Sequence, residues 1–230
     1  MLKHKVSAVV LAGGNSKRMG RNKALLRIGD KKMIQIVVET LEPLFDEVIL
    51  VTRNPSSFYM LDNVRFVTDV LDTEKKNSLV GLYSGLLKAN NEYAFIVPCD
   101  MPFLSSKLIA HMIESLDGED VRIPMIGSYF EPLHAIYRKT CLPYILDQLR
   151  DENYKITAFY DHVLVRPVSE THVRTIDPHL NSFTNVNTET EYLNAKARWA
   201  LEKDITVNQQ KNAKRSEKKN EKRRPDDILQ

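Results

Sequence analysis

Between Leu11 and Leu26 the chain reads LAGGNSKRMGRNKALL, and two kinds of residue in this stretch could do chemistry. Gly13 and Gly14 carry no Cβ, so the backbone there can approach a ligand closely and supply N–H donors to it. Arg18 and Lys23 add positive charge suited to a polyphosphate. Paired glycines beside two cations describe a cradle for a triphosphate. The spacing is not that of a Walker A loop, since no GKS or GKT follows, nor of a GxGxxG dinucleotide fingerprint. A solvated turn would also hold glycines and cations, but this one directly follows an apolar run.

A second candidate is Asp100, in Pro98-Cys99-Asp100-Met101-Pro102-Phe103. Mg²⁺ prefers oxygen ligands and takes one or two carboxylates together with substrate phosphates, so one well-placed aspartate is enough and Asp100 is the expected metal ligand. A turn aspartate ahead of Met101-Pro102 would have the same look. Asn185 and Asn187 flank Val186, and in a strand both amides would point to one face; strand-end or turn residues would give the same pattern. Cys99 reads as a small packing residue, because the thiol has no identifiable activating partner; His134 could face the acceptor, but a histidine between apolar neighbours reads more readily as a packing residue with a satisfied hydrogen bond.

These residues need a frame. Val6 to Ala12 is a near-continuous apolar run of the kind buried on both faces of a parallel sheet. Met33 to Phe45 is apolar at helical spacing, and Glu47 to Thr52 is a short β-branched strand, which completes a βαβ unit. Arg65 to Thr68 and Tyr93 to Val97 read as further strands, Ser78 to Ala89 and Ser105 to Leu116 as helices. The alternation predicts a three-layer α/β/α fold around an open, mostly parallel sheet. Asp100 then falls just past the carboxyl end of a strand, where open α/β sheets bind ligands. Beyond Val121 the pattern loosens: VRIPM, a turn at Gly127, helix-like stretches at Lys139 to Leu149 and Tyr154 to His162, and a strand at Val163 to Arg166. This half is expected to shape the acceptor side. Thr188 and Glu191 have capping-box spacing, which predicts a closing helix from Thr188 to Lys203.

The chain has 230 residues, 43% hydrophobic and 27% charged, an ordinary globular balance that supports one core and leaves no run long enough to cross a membrane. Its net charge of +3 is uneven. Residues 205–230 carry eight basic and four acidic side chains, so the body, residues 1–204, is slightly acidic. The division is therefore one domain over 1–204 and a charged tail over 205–230, too poor in apolar residues to repay ordering. A basic balance confined to a tail does not make the body a nucleic-acid binder; the tail itself reads as a docking segment for an acidic partner or nucleic acid. Cys99 and Cys141 have neither disulfide-framework nor zinc-ligand spacing, and with no cleavage pattern after the basic N-terminus the expected compartment is the cytoplasm.

The loop resembles the LAGGxSxRMGxxK signature of nucleotidyltransferases with a glycosyltransferase-A-like, Rossmann-like fold. Together with Asp100-Met101-Pro102-Phe103 and Asn185-Val186-Asn187-Thr188, the chain resembles the molybdenum cofactor guanylyltransferases, from about Val6 to Leu201. That resemblance implies GTP and a molybdopterin-type cofactor as substrates, transfer of GMP to the latter, and release of pyrophosphate. It implies nucleotide contacts from Leu11, Ala12, Gly13, Gly14, Lys23, Asp69, Gly81 and Asp100, acceptor contacts from Asn185 and Asn187, Mg²⁺ on Asp100, and catalysis by Lys23, Arg18 and Asp100. Asp69 could accept from the guanine N1 and N2 hydrogens. One departure is visible: the glycine-proline-leucine run usual before the helix with Gly81 is replaced by Asn77-Ser78-Leu79-Val80. Near the second strand, Thr52, Arg53 and Asn54 all stand close to a further nucleotide position. Rival readings are the same chemistry with CTP or with a sugar phosphate acceptor, and a non-catalytic nucleotide-binding protein.

Overall fold

A computed structural model describes residues 5–13, 22–71 and 77–201. Gly14, Arg18 and the tail over 205–230 lie outside the described residues. The apolar runs become strands β1 (Val6–Leu11), β4 (Val48–Val51), β5 (Arg65–Val67) and β6 (Tyr93–Pro98). They join β7 (Val121–Ile126), β8 (Tyr129–Phe130), β9 (Ala135–Arg138) and β10 (Val165–Ser169) in one sheet of order β10-β7-β9-β6-β1-β4-β5, with β8 on β7. A small ribbon, β2 (Arg27–Ile28) and β3 (Lys31–Lys32), stands apart. β1 pairs parallel with β4 and β6, and β4 parallel with β5, whereas β9 runs antiparallel to both β6 and β7. The sheet is therefore mixed but mostly parallel.

Among the described residues, helices α1 (Met33–Leu41), α2 (Ser78–Lys88), α3 (Ser106–Glu114), α4 (Leu142–Arg150) and α5 (Glu170–Ile176) cover the two faces, and α6 spans 189–201. The alternation of side chains along β1 assigns the layers. Val6, Ala8 and Val10 pack with α1, α3 and α5, while Val9 packs with α2 and α4. The helix expected over Met33 to Phe45 stops at Leu41, ahead of Pro43, which has no N–H to extend the ladder. The helix-like stretch at Tyr154 to His162 is a 3₁₀ segment, Ile156–His162.

Helix α2 lies unusually close to β1. A Cβ placed on Gly85 would come within 2.3 Å of Val9 Cγ1, and one on Gly81 within 3.3 Å of Leu11 Cδ2. Two glycines one turn apart are what allow that approach, and it brings the N-terminus of α2 to the carboxyl rim of the sheet. There Asn77 caps the helix by accepting from the Val80 N–H at 3.0 Å.

Candidate active site

The carboxyl ends of β1, β4, β5 and β6 open into a cavity of about 480 Å³. Its lining includes Leu11, Ala12, Gly13, Lys23, Asp69, Gly81, Asp100, Asn185 and Asn187. Every site residue read from the sequence that falls within the described residues thus lines this cavity. Their separation along the chain, from Leu11 to Asn187, is closed by the parallel sheet, which sets Leu11 against Val51 and Pro98.

The backbone at the loop is partly committed. Ala12 donates its N–H to the Val51 carbonyl at 2.9 Å, and the Leu11 carbonyl accepts from Cys99 N–H at 3.1 Å. The Ala12 N–H is thus taken up in sheet pairing, while Ala12 itself still lines the cavity. Lys23 begins a short 3₁₀ turn, Lys23–Leu25, whose preceding Asn22 accepts from Ala24 N–H at 3.2 Å. From there Lys23 Nζ reaches across to donate to Asn187 Oδ1 at 2.8 Å.

Asn185 and Asn187 do not sit in a strand. They belong to a segment outside the sheet ladders, in which Val186 N–H donates to the Asp100 carbonyl at 2.9 Å. Val186 is fully buried beside Ile28, Met33 and Phe103, and this anchor turns both asparagines to the cavity. The segment is braced from both sides. Upstream, the buried Asp177 carboxylate accepts from Asn181 and Ser182 N–H at 3.0 and 2.8 Å, and Ser182 Oγ accepts from Ser105 N–H at 2.9 Å. Downstream, the capping box forms as its spacing predicts: Thr188 Oγ1 accepts from Glu191 N–H at 3.2 Å, and the Glu191 carboxylate accepts from Thr188 and Asn187 N–H. Those backbone donors hold the Glu191 carboxyl below its ordinary range.

Asp100 carries the main electrostatic signal. Its Oδ1 is buried and has no hydrogen-bond partner among the described residues. Burial raises its carboxyl above the ordinary value, and the Lys23 charge works against that rise. A carboxylate oxygen left bare in a desolvated place is costly unless a cation or donor completes it. The neighbouring Cys99 thiol is pushed up to about 12 by desolvation and by Asp100, so it is a neutral packing group and not a nucleophile.

The cavity also shows what the sequence left undecided or did not single out. Arg53, one of three undecided candidates, lines it and pairs with Asp69, Nε to Oδ2, at 3.0 Å. Glu131 lines it from the far side, ahead of β9. Only the antiparallel return of β9 along β6 brings Glu131 to this rim, and no local pattern announces a long-range strand reversal. His134 is a packing residue, as read, but the expected hydrogen bond is missing. It is fully buried, edge-on to Phe95 and Phe183 at 5.1 and 4.9 Å between centroids, and neither ring nitrogen has a partner among the described residues.

A mostly parallel sheet with a charged cavity at its carboxyl rim, built on a loop after β1 and a carboxylate after β6, defines a nucleotide-binding α/β protein. The chain belongs to the MobA-like NTP transferase family, whose domain model matches residues 8–165. It is 42% identical over 186 residues to a probable molybdenum cofactor guanylyltransferase of Natranaerobius thermophilus, covering 80% of this chain and 91% of that one. It is 38% identical over 194 residues to the molybdenum cofactor guanylyltransferase of Desulfosudis oleivorans, covering 84% and 95%. Among solved structures, molybdopterin-guanine dinucleotide biosynthesis protein A of Archaeoglobus fulgidus superposes with a TM-score of 0.74 at 25% identity, covering 85% of this chain and 99% of that one.

Proposed function

We propose that this enzyme transfers GMP from GTP to the phosphate of a molybdopterin-type cofactor, forming the guanine dinucleotide and releasing pyrophosphate. The observation that carries the reading is the convergence of Lys23, Asp100, Asn185 and Asn187 on one cavity in a chain of the MobA-like family. The two thiols, both free, fit a reducing compartment such as the cytoplasm.

In this reading an oxygen of the acceptor phosphate attacks the α-phosphorus in line, and the bond from that phosphorus to the bridging oxygen breaks, with its electron pair leaving on pyrophosphate. A phosphate monoester is already ionised near neutral pH, so no general base is needed. The protein supplies position and charge. Lys23, held by Asn187, sets a cation against the triphosphate, and Arg18 adds a second. The Leu11 to Gly14 backbone and Gly81 bound the nucleoside, Asp69 with Arg53 faces the base, and Asn185 and Asn187 hold the acceptor. Asp100 fits a Mg²⁺ ligand, because its Oδ1 is a bare buried oxygen and the Asn185 amide, a neutral oxygen donor, lines the same cavity. Mg²⁺ held there would offset charge on the reacting phosphates.

The test is pyrophosphate release from each of the four NTPs with Mg²⁺ and a molybdopterin acceptor, for the wild type and Asp100→Ala. Release specific to GTP and lost in the variant supports the reading. Release with CTP, or only with a sugar phosphate acceptor, changes the substrates and keeps the chemistry. GTP binding with no release from any pair points to a non-catalytic binder, and full activity in the variant removes Asp100 from the mechanism.

A further inference from the structure

The rim of the sheet orders the cavity from end to end. Along it stand Asp69 and Arg53 after β5 and β4, the loop after β1, Asp100 after β6, and Glu131 ahead of β9. Four inter-strand steps of about 4.8 Å separate the β5 end from the β9 end, roughly 19 Å in all. Carboxylates thus stand at both extremes, with Lys23 and Asp100 at the centre where phosphates would meet. The N-terminus of α2, at Asn77 to Val80, opens on the β1–β4–β5 half and favours a polyanion there. That half suits the nucleotide, which leaves the β6–β9 half for the acceptor.

Glu131 is set up differently from Asp69. Its backbone is fixed, since its N–H donates to the Pro124 carbonyl at 3.0 Å and its carbonyl accepts from His134 N–H at 2.9 Å. Asp69 is engaged by Arg53, whereas the Glu131 carboxylate has no hydrogen-bond or ion-pair partner among the described residues, although it is half-buried in the cavity wall. A rigidly mounted, partly desolvated acceptor without donors is one whose donors arrive with a ligand. Desolvation alone raises its carboxyl above the ordinary range, in keeping with that state.

We propose that Glu131 selects the pterin of the acceptor, its carboxylate accepting from the adjacent ring N–H and amino N–H of the 2-amino-4-oxo pyrimidine edge. This rests on the guanylyl-transfer reading and goes beyond it by assigning the acceptor's recognition to one side chain. Two donors side by side match the two oxygens of a carboxylate. Guanine presents the same edge, so the two carboxylates, one at each end, would hold the two heterocycles of one dinucleotide product apart. Glu131 is a specificity residue that does not touch the reacting phosphates.

The experiment measures binding of 6-hydroxymethylpterin monophosphate and of its 2,4-dioxo lumazine counterpart by their fluorescence. Both are titrated into the full chain with Mg²⁺ and a non-hydrolysable α,β-methylene GTP, whose own affinity is measured separately. The wild type should prefer the pterin. Glu131→Gln, which keeps the size but loses the charge and one acceptor, should weaken pterin binding about tenfold to a hundredfold. It should lose the preference over lumazine and keep the affinity for the GTP analogue. Glu131→Asp, which keeps the charge, should retain the preference. A Glu131→Gln protein that still prefers the pterin, or that loses the GTP analogue equally, overturns the proposal while wild-type pyrophosphate release leaves the transfer reading standing. A wild type that binds neither the pterin nor the GTP analogue and releases no pyrophosphate overturns both.

Discussion

His134 offers the most quantitative prediction. Burial between Phe95 and Phe183 pulls its imidazole from 6.5 down to about 3, with the Asp177 carboxylate opposing the fall. The folded state therefore keeps a neutral ring over a range in which the unfolded chain takes up a proton. The sign follows from that difference: the stability is fully present above 6.5 and is lost as pH falls toward the folded value. Each pH unit in that window costs about 1.4 kcal/mol, so lowering the pH from about 8 to about 5 should remove about 2 kcal/mol through this residue alone. In a chain of this size that is roughly a 4–8 °C fall in Tm. The perturbation is His134→Leu, apolar and able to sit between the two rings. Urea unfolding of both proteins at both pH values isolates the histidine, because all other titrating groups are shared. The wild type should lose about 2 kcal/mol more than the variant. Equal losses would refute the argument, since they would mean that the folded state protonates His134 as readily as the unfolded chain does.

Lys23→Met should lower kcat/KM for pyrophosphate release by about 10² to 10³, the usual worth of one preorganised charge at a transition state, with an unchanged circular dichroism spectrum. Asn187→Ala should weaken the same activity by a smaller factor, because it releases Lys23 from its 2.8 Å bond and does not remove the charge; a larger loss than in the lysine variant would contradict the order of roles. Gly85→Ala should destabilise the fold by about 1–3 kcal/mol in urea, since its Cβ would fall 2.3 Å from Val9 Cγ1 and α2 would have to lift off β1. Asp69→Asn should cost under about 1 kcal/mol of stability, as the Arg53 pair is partly exposed, yet reduce discrimination between GTP and ATP; selectivity equal to the wild type would detach Asp69 from base recognition.

Local pattern was enough for much of this protein. The apolar run from Val6 to Ala12, the helical spacing from Met33 to Phe45, cut short at Leu41, and the box of Thr188 and Glu191 each specify most of their own backbone, because each depends on near neighbours. The loop chemistry at Leu11 to Lys23 and the position of Asp100 after β6 were legible for the same reason: a buried strand followed by glycines or a carboxylate has one natural place at the sheet's rim. Tertiary structure decided what depends on partners distant in sequence. The β1–β4 pairing gives the Ala12 N–H to the Val51 carbonyl. Asn185 and Asn187 had the pattern of strand residues or of strand-end and turn residues alike, and their direction is set by Val186 and its bond to Asp100, 86 positions away. Glu131 and Arg53 reach the cavity only because β9 returns antiparallel along β6 and β4 ends beside β5, and strand order is a property of the whole sheet. Sequence determines which groups are present and which short segments are rigid; which of them meet is settled by non-local packing, where the energy of any one contact depends on all the others being in place.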